Sequence, residues 1–142
     1  MEIPEVRRRL RAVIDQARRE ASARRERTAA TSRAYTEFLA QRAVPTFHTF
    51  AAALVAEGYK FKVFTPAESV RLASESGGED FIEIVLDATS DPPRVTGHTS
   101  RSRGRRSLST ERPIRAGAGP ADLTEEDVLE FLVEEIAPFV ER

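Results

Sequence analysis

Hydrophobic residues recur at helical spacing in the first part of the chain. Residues 5–42 contain neither Gly nor Pro, and most of their side chains favour helices. The apolar positions fall three and four residues apart, at Ile3, Val6, Leu10, Val13, Ile14 and Ala17. Large apolar residues are then missing over residues 18–33, so this middle part either bridges solvent or breaks briefly. We predict a long N-terminal helix over residues 1–42, and we expect Pro45 to stop it.

Two further amphipathic helices are predicted. Residues 46–57 carry one apolar face, formed by Phe47, Phe50, Ala51, Leu54 and Val55. Residues 116–123 form a linker of mainly small residues, after which Thr124 and Asp127 have the spacing of a capping box. A C-terminal helix is therefore expected over residues 124–141. Its apolar stripe comprises Val128, Leu129, Leu132, Val133, Ile136 and Val140, widened by Phe131 and Phe139.

Short segments between these helices predict strands, because apolar and basic residues alternate at residues 59–64 and residues 81–87 are the most hydrophobic. The segments are residues 59–64, 68–73 and 81–87, then a weaker pair at 94–100 and 105–112. In the weaker pair, Val95 and Leu108 are the side chains expected to face the core. Residues 74–80, which include Gly77 and Gly78, predict a turn. The order indicates an α+β fold, with an antiparallel sheet of four or five strands packed by helices and an N-terminal helix that docks or projects.

Composition narrows the class of protein. A chain of 142 residues fits a single domain over residues 1–142. Cysteine is absent, which excludes disulfides, thiolate catalysis and Cys-ligated metals and agrees with a reducing, cytoplasmic compartment. The N-terminal residues do not resemble a signal peptide, and the longest apolar stretch, residues 50–56, is too short to cross a bilayer, so no membrane role is expected. The 20 Arg against 2 Lys favour a GC-rich, bacterial genome.

Charge is distributed in four blocks that nearly cancel. Residues 1–42 hold 11 basic against 6 acidic residues, and residues 43–93 hold 3 against 8. Residues 94–115 hold 7 against 1, and residues 116–142 hold 1 against 8. The net charge of −1 therefore conceals strong segregation. Such a pattern indicates separate positive and negative faces, or basic elements that dock on acidic ones within a chain or between copies.

Four arginines surround the predicted turn between the last two strands. Arg101, Arg103, Arg105 and Arg106 could bind successive phosphates or carboxylates, so they are the candidate anion or nucleic-acid site. The alternative is an edge hairpin whose charge prevents pairing with other strands.

The N-terminal helix supplies a candidate interaction surface. Val6, Leu10, Val13 and Ala17 follow the spacing of a helical dimer seam for two heptads, which is also the spacing of a helix packed within its own domain. Arginines on the same helix could track a nucleic-acid backbone, but they are spread around it and have acidic neighbours, as in a solvated helix.

No residue pattern in the sequence indicates catalysis. We expect no catalytic, cofactor-binding or metal site, because His48 and His98 have no metal-ligand spacing around them and resemble surface histidines. No nucleophile elbow and no Walker A motif is present.

The sequence thus favours a non-enzymatic protein–protein interaction module that binds a protein partner or associates with itself. One alternative is a nucleic-acid-binding protein that contacts phosphates through the Arg-rich hairpin and the N-terminal helix. The other is a small-molecule binder with an apolar pocket between sheet and helix, lined by Tyr59, Phe61, Phe81 and Phe50, although these rings would also serve as ordinary core.

Overall fold

The computed structural model describes residues 1–75 and 79–141. Helix α1 spans Ile3–Phe38, a π-helical turn spans Leu39–Ala43, and helix α2 spans Val44–Ala56. Gly77 and Gly78, on which the predicted turn of residues 74–80 depends, lie outside the described residues.

The prediction that Pro45 stops the N-terminal helix is wrong, because the helical path continues from α1 into α2. In a regular α-helix the ring of Pro45 would clash with the carbonyl group of Gln41. The π-turn just before the proline widens the backbone, and the N–H of Val44 accordingly bonds to the carbonyl of Leu39, five residues back.

The middle of α1 is unbroken. Residues 18–33 are helical throughout although they lack large apolar side chains. Polar side chains pair along this surface, where Gln16 donates to Glu20 and accepts from Arg19. Of the two expectations for this stretch, a solvent-bridging helix is therefore the correct one.

In the described residues, five antiparallel strands form one meandering sheet in the order β1-β2-β3-β4-β5. Their bounds are Phe61–Phe64, Val70–Ser74, Phe81–Asp87, Arg94–Arg103 and Arg106–Pro113. The predicted α+β fold and its antiparallel sheet are thereby confirmed. The predicted strand of residues 81–87 is found unchanged and lies at the centre, as its apolar content requires.

One face of the sheet carries the core. Its buried side chains are Phe61, Val70, Leu72, Ile82, Ile84 and Val95. The opposite face mixes polar side chains with rings such as the exposed Phe64 and the half-buried Phe81. On it, Nε of Arg71 donates to Oε2 of Glu83 at 2.9 Å, and the guanidinium group of Arg71 lies over the ring of Phe81. Alternation along each strand therefore separates a helix-covered face from an open one.

The C-terminal helix α3 spans Glu125–Val140 and follows a short 3-10 helix at Pro120–Asp122. Its capping box is confirmed: the N–H of Asp127 donates to the Thr124 hydroxyl, and the N–H of Thr124 donates to the Asp127 carboxylate. The helix packs on the sheet through Val128, Phe131 and Leu132, all of which are buried.

Several predicted core positions are exposed instead. Leu129 and Val133 of α3 and Val55 of α2 lie on the outer flanks of their helices, beyond the part that the sheet covers. Leu108 shares the helix-facing side of the sheet with Val95, but it lies where the β4–β5 hairpin extends beyond the core, so only Val95 is buried.

Helix α3 approaches the sheet most closely at Gly97 of β4. A Cβ atom at this position would lie 2.3 Å from both Cε1 and Cζ of Phe131 and 3.1 Å from Cδ1 of Ile114. The aromatic ring therefore occupies the space that any side chain at residue 97 would need. The guanidinium group of Arg112 covers the ring, 5.0 Å from its centroid.

Candidate functional site

The first 24 residues of α1 form an exposed segment, residues 3–26, which we call the N-terminal arm. Every residue of the arm is exposed except Glu5 and Ala21, which are half-buried. Its large apolar side chains are fully or partly in solvent, with Ile3 74%, Leu10 55% and Val13 65% exposed. Val6 and Ala17, the other predicted interaction residues, are exposed as well. The structure thus places all four candidate interaction residues on an uncovered surface.

Polar contacts of the arm stay within the helix. Among the described residues, its side-chain hydrogen bonds and ion pairs join residues three or four positions apart, as in the pairs of Glu5 with Arg8 and Arg9. Along α1, the first side-chain ion pair to a residue outside the helix within the described structure is that of Arg27, whose Nη2 lies 3.4 Å from Oδ2 of Asp91 in the loop after β3.

The other end of α1 is firmly anchored. Tyr35 and Phe38 are buried, and the Tyr35 hydroxyl donates to the carbonyl oxygen of Glu68 at 2.6 Å. Burial raises the pKa of the Tyr35 hydroxyl above its ordinary value, and the carboxylates of Glu68 and Glu83 raise it further, so the group stays a proton donor. This bond holds a turn in which Glu68 has the left-handed φ of 59°.

The anchored and exposed ends of α1 use the same helical face. Ala17 and Tyr35 are 18 residues apart, about five whole turns of an α-helix. The apolar stripe of the arm therefore continues the face that packs on the domain at Tyr35. One amphipathic face is covered at its C-terminal end and uncovered along the arm.

Arginines border one side of the exposed stripe. Three arginines line a shallow groove together with two apolar residues and one acid: Arg7, Arg11 and Arg18 with Leu10, Ile14 and Asp15. None of these three arginines makes an ion pair within the described parts of the chain. The arm thus combines an apolar surface with positive charges that remain available to a partner.

The structure also brings the four hairpin arginines together. Arg103 and Arg106 face each other across β4 and β5, Arg101 lies two residues earlier on the same side, and Arg105 belongs to the turn. Over residues 1–75 and 79–141 none of the four has an ion-pair partner. On the other face of the hairpin, Ser102 donates to Asp80 through its backbone N–H and its hydroxyl.

Acidic side chains of α3 divide into two groups. Toward β5, Glu134 and Glu135 bind Arg112, and Asp127 binds Arg115. Toward α2 and solvent, Glu125, Glu126 and Glu130 make no ion pair in the described structure. The first group holds a basic strand on an acidic helix within one chain, and the second leaves negative charge exposed.

The four rings predicted to line an apolar pocket are not brought together. Tyr59 and Phe61 border a hollow of about 360 Å³ beside Phe139, whereas Phe81 lies on the open face of the sheet. Phe50 instead lines a separate groove of about 340 Å³ between α2 and α3. Sequence reasoning missed this groove, because it assigned the exposed Leu129 to the core.

Neither histidine belongs to a cluster of ligands. His48 is exposed on α2, and Nε2 of His98 lies 3.7 Å from Oε1 of Glu111 on the open face of the sheet. Within the described residues, no group of three or more His, Asp or Glu side chains could hold a metal ion. Of the helices described, none is both long and apolar enough to cross a bilayer.

Comparisons with known proteins give no relative from which a function could be transferred. No protein-family model, no curated protein and no solved structure matches the chain.

Proposed function

We propose that this chain is a non-enzymatic interaction module that associates with itself through the N-terminal arm. The observation that carries the proposal is the uncovered apolar stripe of residues 3–17 on a continuous helix. Fully burying one exposed Val, Leu or Ile side chain is worth about 1.5–3 kcal/mol. Most side chains of the stripe are about half exposed, so a partner gains roughly half of that for each one that it covers. Absence of cysteine supports a cytoplasmic site of action, and the preference for Arg over Lys supports a bacterial source.

Replacing Leu10 with Glu should dissociate the assembly. Leu10 is 55% exposed, so the lost apolar contact alone removes about 1 kcal/mol, equivalent to roughly a fivefold rise in Kd. The unpaired carboxylate that Glu places in an apolar interface raises the Kd further. At a protein concentration a few times the wild-type Kd, sedimentation velocity would give a wild-type mass approaching twice 15.8 kDa or more, and a mass close to 15.8 kDa for Leu10→Glu.

A matched control exists on the opposite side of the arm. Ala12 is exposed and lies about 160° around the helix from Leu10, since successive residues are about 100° apart. Ala12→Glu adds the same charge but leaves the stripe intact, so it should sediment as the wild type does. A wild-type chain that remains monomeric at all accessible concentrations would contradict self-association.

A second candidate function rests on the hairpin arginines, which lie at the same end of the β4–β5 hairpin and have no ion-pair partners in the described chain. In this alternative they contact nucleic-acid phosphates, with support from arginines of the arm. The exposed acids of α3 weaken the positive field, which is why the alternative ranks second.

Fluorescence anisotropy with mixed-sequence duplex and single-stranded oligonucleotides tests the second candidate. If it holds, binding weakens with salt, and replacing Arg101, Arg103, Arg105 and Arg106 by Ala reduces the salt slope by about 0.9 for each lost duplex phosphate contact. A variant with Lys at all four positions keeps the charge and should retain most of the binding. Lack of binding at low salt would eliminate this function.

A further inference from the structure

We propose that the arm of one chain docks in the groove between α2 and α3 of a second copy. This inference rests on the proposed self-association and names the surface that receives the arm. The groove has a volume of about 340 Å³. Its apolar lining comprises Pro45, Phe50 and Ala53 of α2 and Leu129 of α3.

Apolar surface continues beyond the groove along α3. Val133 is 55% exposed and lies one turn after Leu129, which is itself 38% exposed. The two side chains extend the floor of the groove in the direction of the α3 axis. An elongated apolar surface of this kind suits the apolar face of a helix.

Charge complementarity identifies the helix that fits. The rim of the groove carries Glu125 and Glu126, with Glu130 one turn beyond Glu126, and none of them forms an ion pair in the part of the chain that is described. The border of the arm carries unpaired arginines. An apolar groove with an acidic rim therefore meets an apolar stripe with a basic border.

The spacing of the charges allows two contacts at once. Arg7 and Arg11 are four residues apart on the arm, and Glu126 and Glu130 are four residues apart on α3. Each pair is therefore separated by about 6 Å along its helix axis. Two helices packed at a small angle can bring both arginines opposite both carboxylates.

The occupant must come from another chain, because the arm cannot fold back on its own groove. Leu10 is 25 residues from the anchored Tyr35, or about 38 Å along a continuous helix. Intramolecular docking would require α1 to break within its regular hydrogen-bonded region.

Pairing of two arms is the less favourable arrangement. Residues 3–26 hold eight arginines against four carboxylates, so two arms side by side would bring like net charges together. The groove offers the arm opposite charge instead. Copies that exchange arms reciprocally form a closed dimer, and copies that do not close form longer chains.

Charge reversal in two separate variants tests the pairing. Arg7→Glu with Arg11→Glu changes only the arm, and Glu126→Arg with Glu130→Arg changes only the groove rim. Each variant alone should raise the Kd of self-association at least about tenfold, since like charges then oppose each other across the interface. Analytical ultracentrifugation measures both constants, and thermal melting confirms that both proteins fold.

Mixing the two variants should restore association. The acidic arm of the arm variant meets the basic groove of the groove variant, and the native basic arm of the groove variant meets the native acidic groove of the arm variant. A single chain with all four substitutions should also associate as the wild type does. If the groove variant associates as tightly as the wild type while Leu10→Glu is monomeric, the arm binds a surface other than the groove. That result would contradict docking in the groove but leave the proposed self-association through the arm intact. A monomeric wild type would overturn both this inference and the proposed function.

Discussion

Gly97→Ala should destabilise the fold by about 3 kcal/mol, at the upper end of the usual cost of overfilling a core. The new methyl group would occupy a position 2.3 Å from two carbons of the Phe131 ring. Phe131 is only 1% exposed, so its ring cannot swing into solvent, and Ile114 closes the neighbouring space at 3.1 Å. Either α3 moves away from the sheet or the ring adopts an unfavourable rotamer. Calorimetry should show a melting temperature lower by roughly 10 °C.

Gly119→Ala is the matched control for this substitution. Gly119 has an ordinary φ of −82°, and a Cβ atom there would have its nearest neighbour, the Asp122 carboxylate, at 3.9 Å. Its replacement should leave the free energy of unfolding unchanged or raise it by about 0.4–1 kcal/mol, because Ala lowers the conformational entropy of the unfolded chain. Adding Phe131→Leu to Gly97→Ala should recover part of the loss, since the smaller side chain vacates the contested space. A Gly97→Ala protein that melts with the wild type would contradict the close packing.

The sequence predicted local features well where local chemistry decides them. The capping box at Thr124 depends on two side chains three residues apart, and the central strand of residues 81–87 depends on a short, strongly apolar segment in which Glu83 is the only internal polar residue. Both are found where they were predicted. Pro45 shows the opposite case, because whether a proline ends a helix depends on the backbone around it, and the π-turn that accommodates it has no sequence signature.

The candidate surfaces were harder to predict because exposure is a tertiary property. Helical spacing assigns Leu10 and Leu129 to apolar faces, but it cannot say how far the neighbouring elements extend over those faces. The separation of Phe61 and Phe81 depends on strand register, which places their side chains on opposite faces of the sheet. Gly97 gave no signal beyond being a glycine within a strand; its role follows only from the position of the Phe131 ring.

Phe38→Ala should cost about 3–5 kcal/mol of folding stability, because Phe38 is completely buried and its ring packs beside that of Tyr35. The substitution leaves a cavity where α1 meets the domain and weakens the anchor of the whole helix. Chemical denaturation monitored by circular dichroism measures the loss, which should be the same at all protein concentrations.

Leu10→Ala on the same helix should behave differently, since Leu10 is 55% exposed and contributes to the arm rather than to the core. The stability of the isolated fold should change by no more than about 0.5 kcal/mol, as is usual for surface positions. Self-association adds a further stabilisation that grows with concentration, because only the folded chain binds its partner. Leu10→Ala should reduce that concentration-dependent part alone. A loss of several kcal/mol of folding stability for Leu10→Ala in dilute protein would mean that the arm packs within its own chain. A negligible loss for Phe38→Ala would mean that α1 is not anchored where Tyr35 and Phe38 are buried.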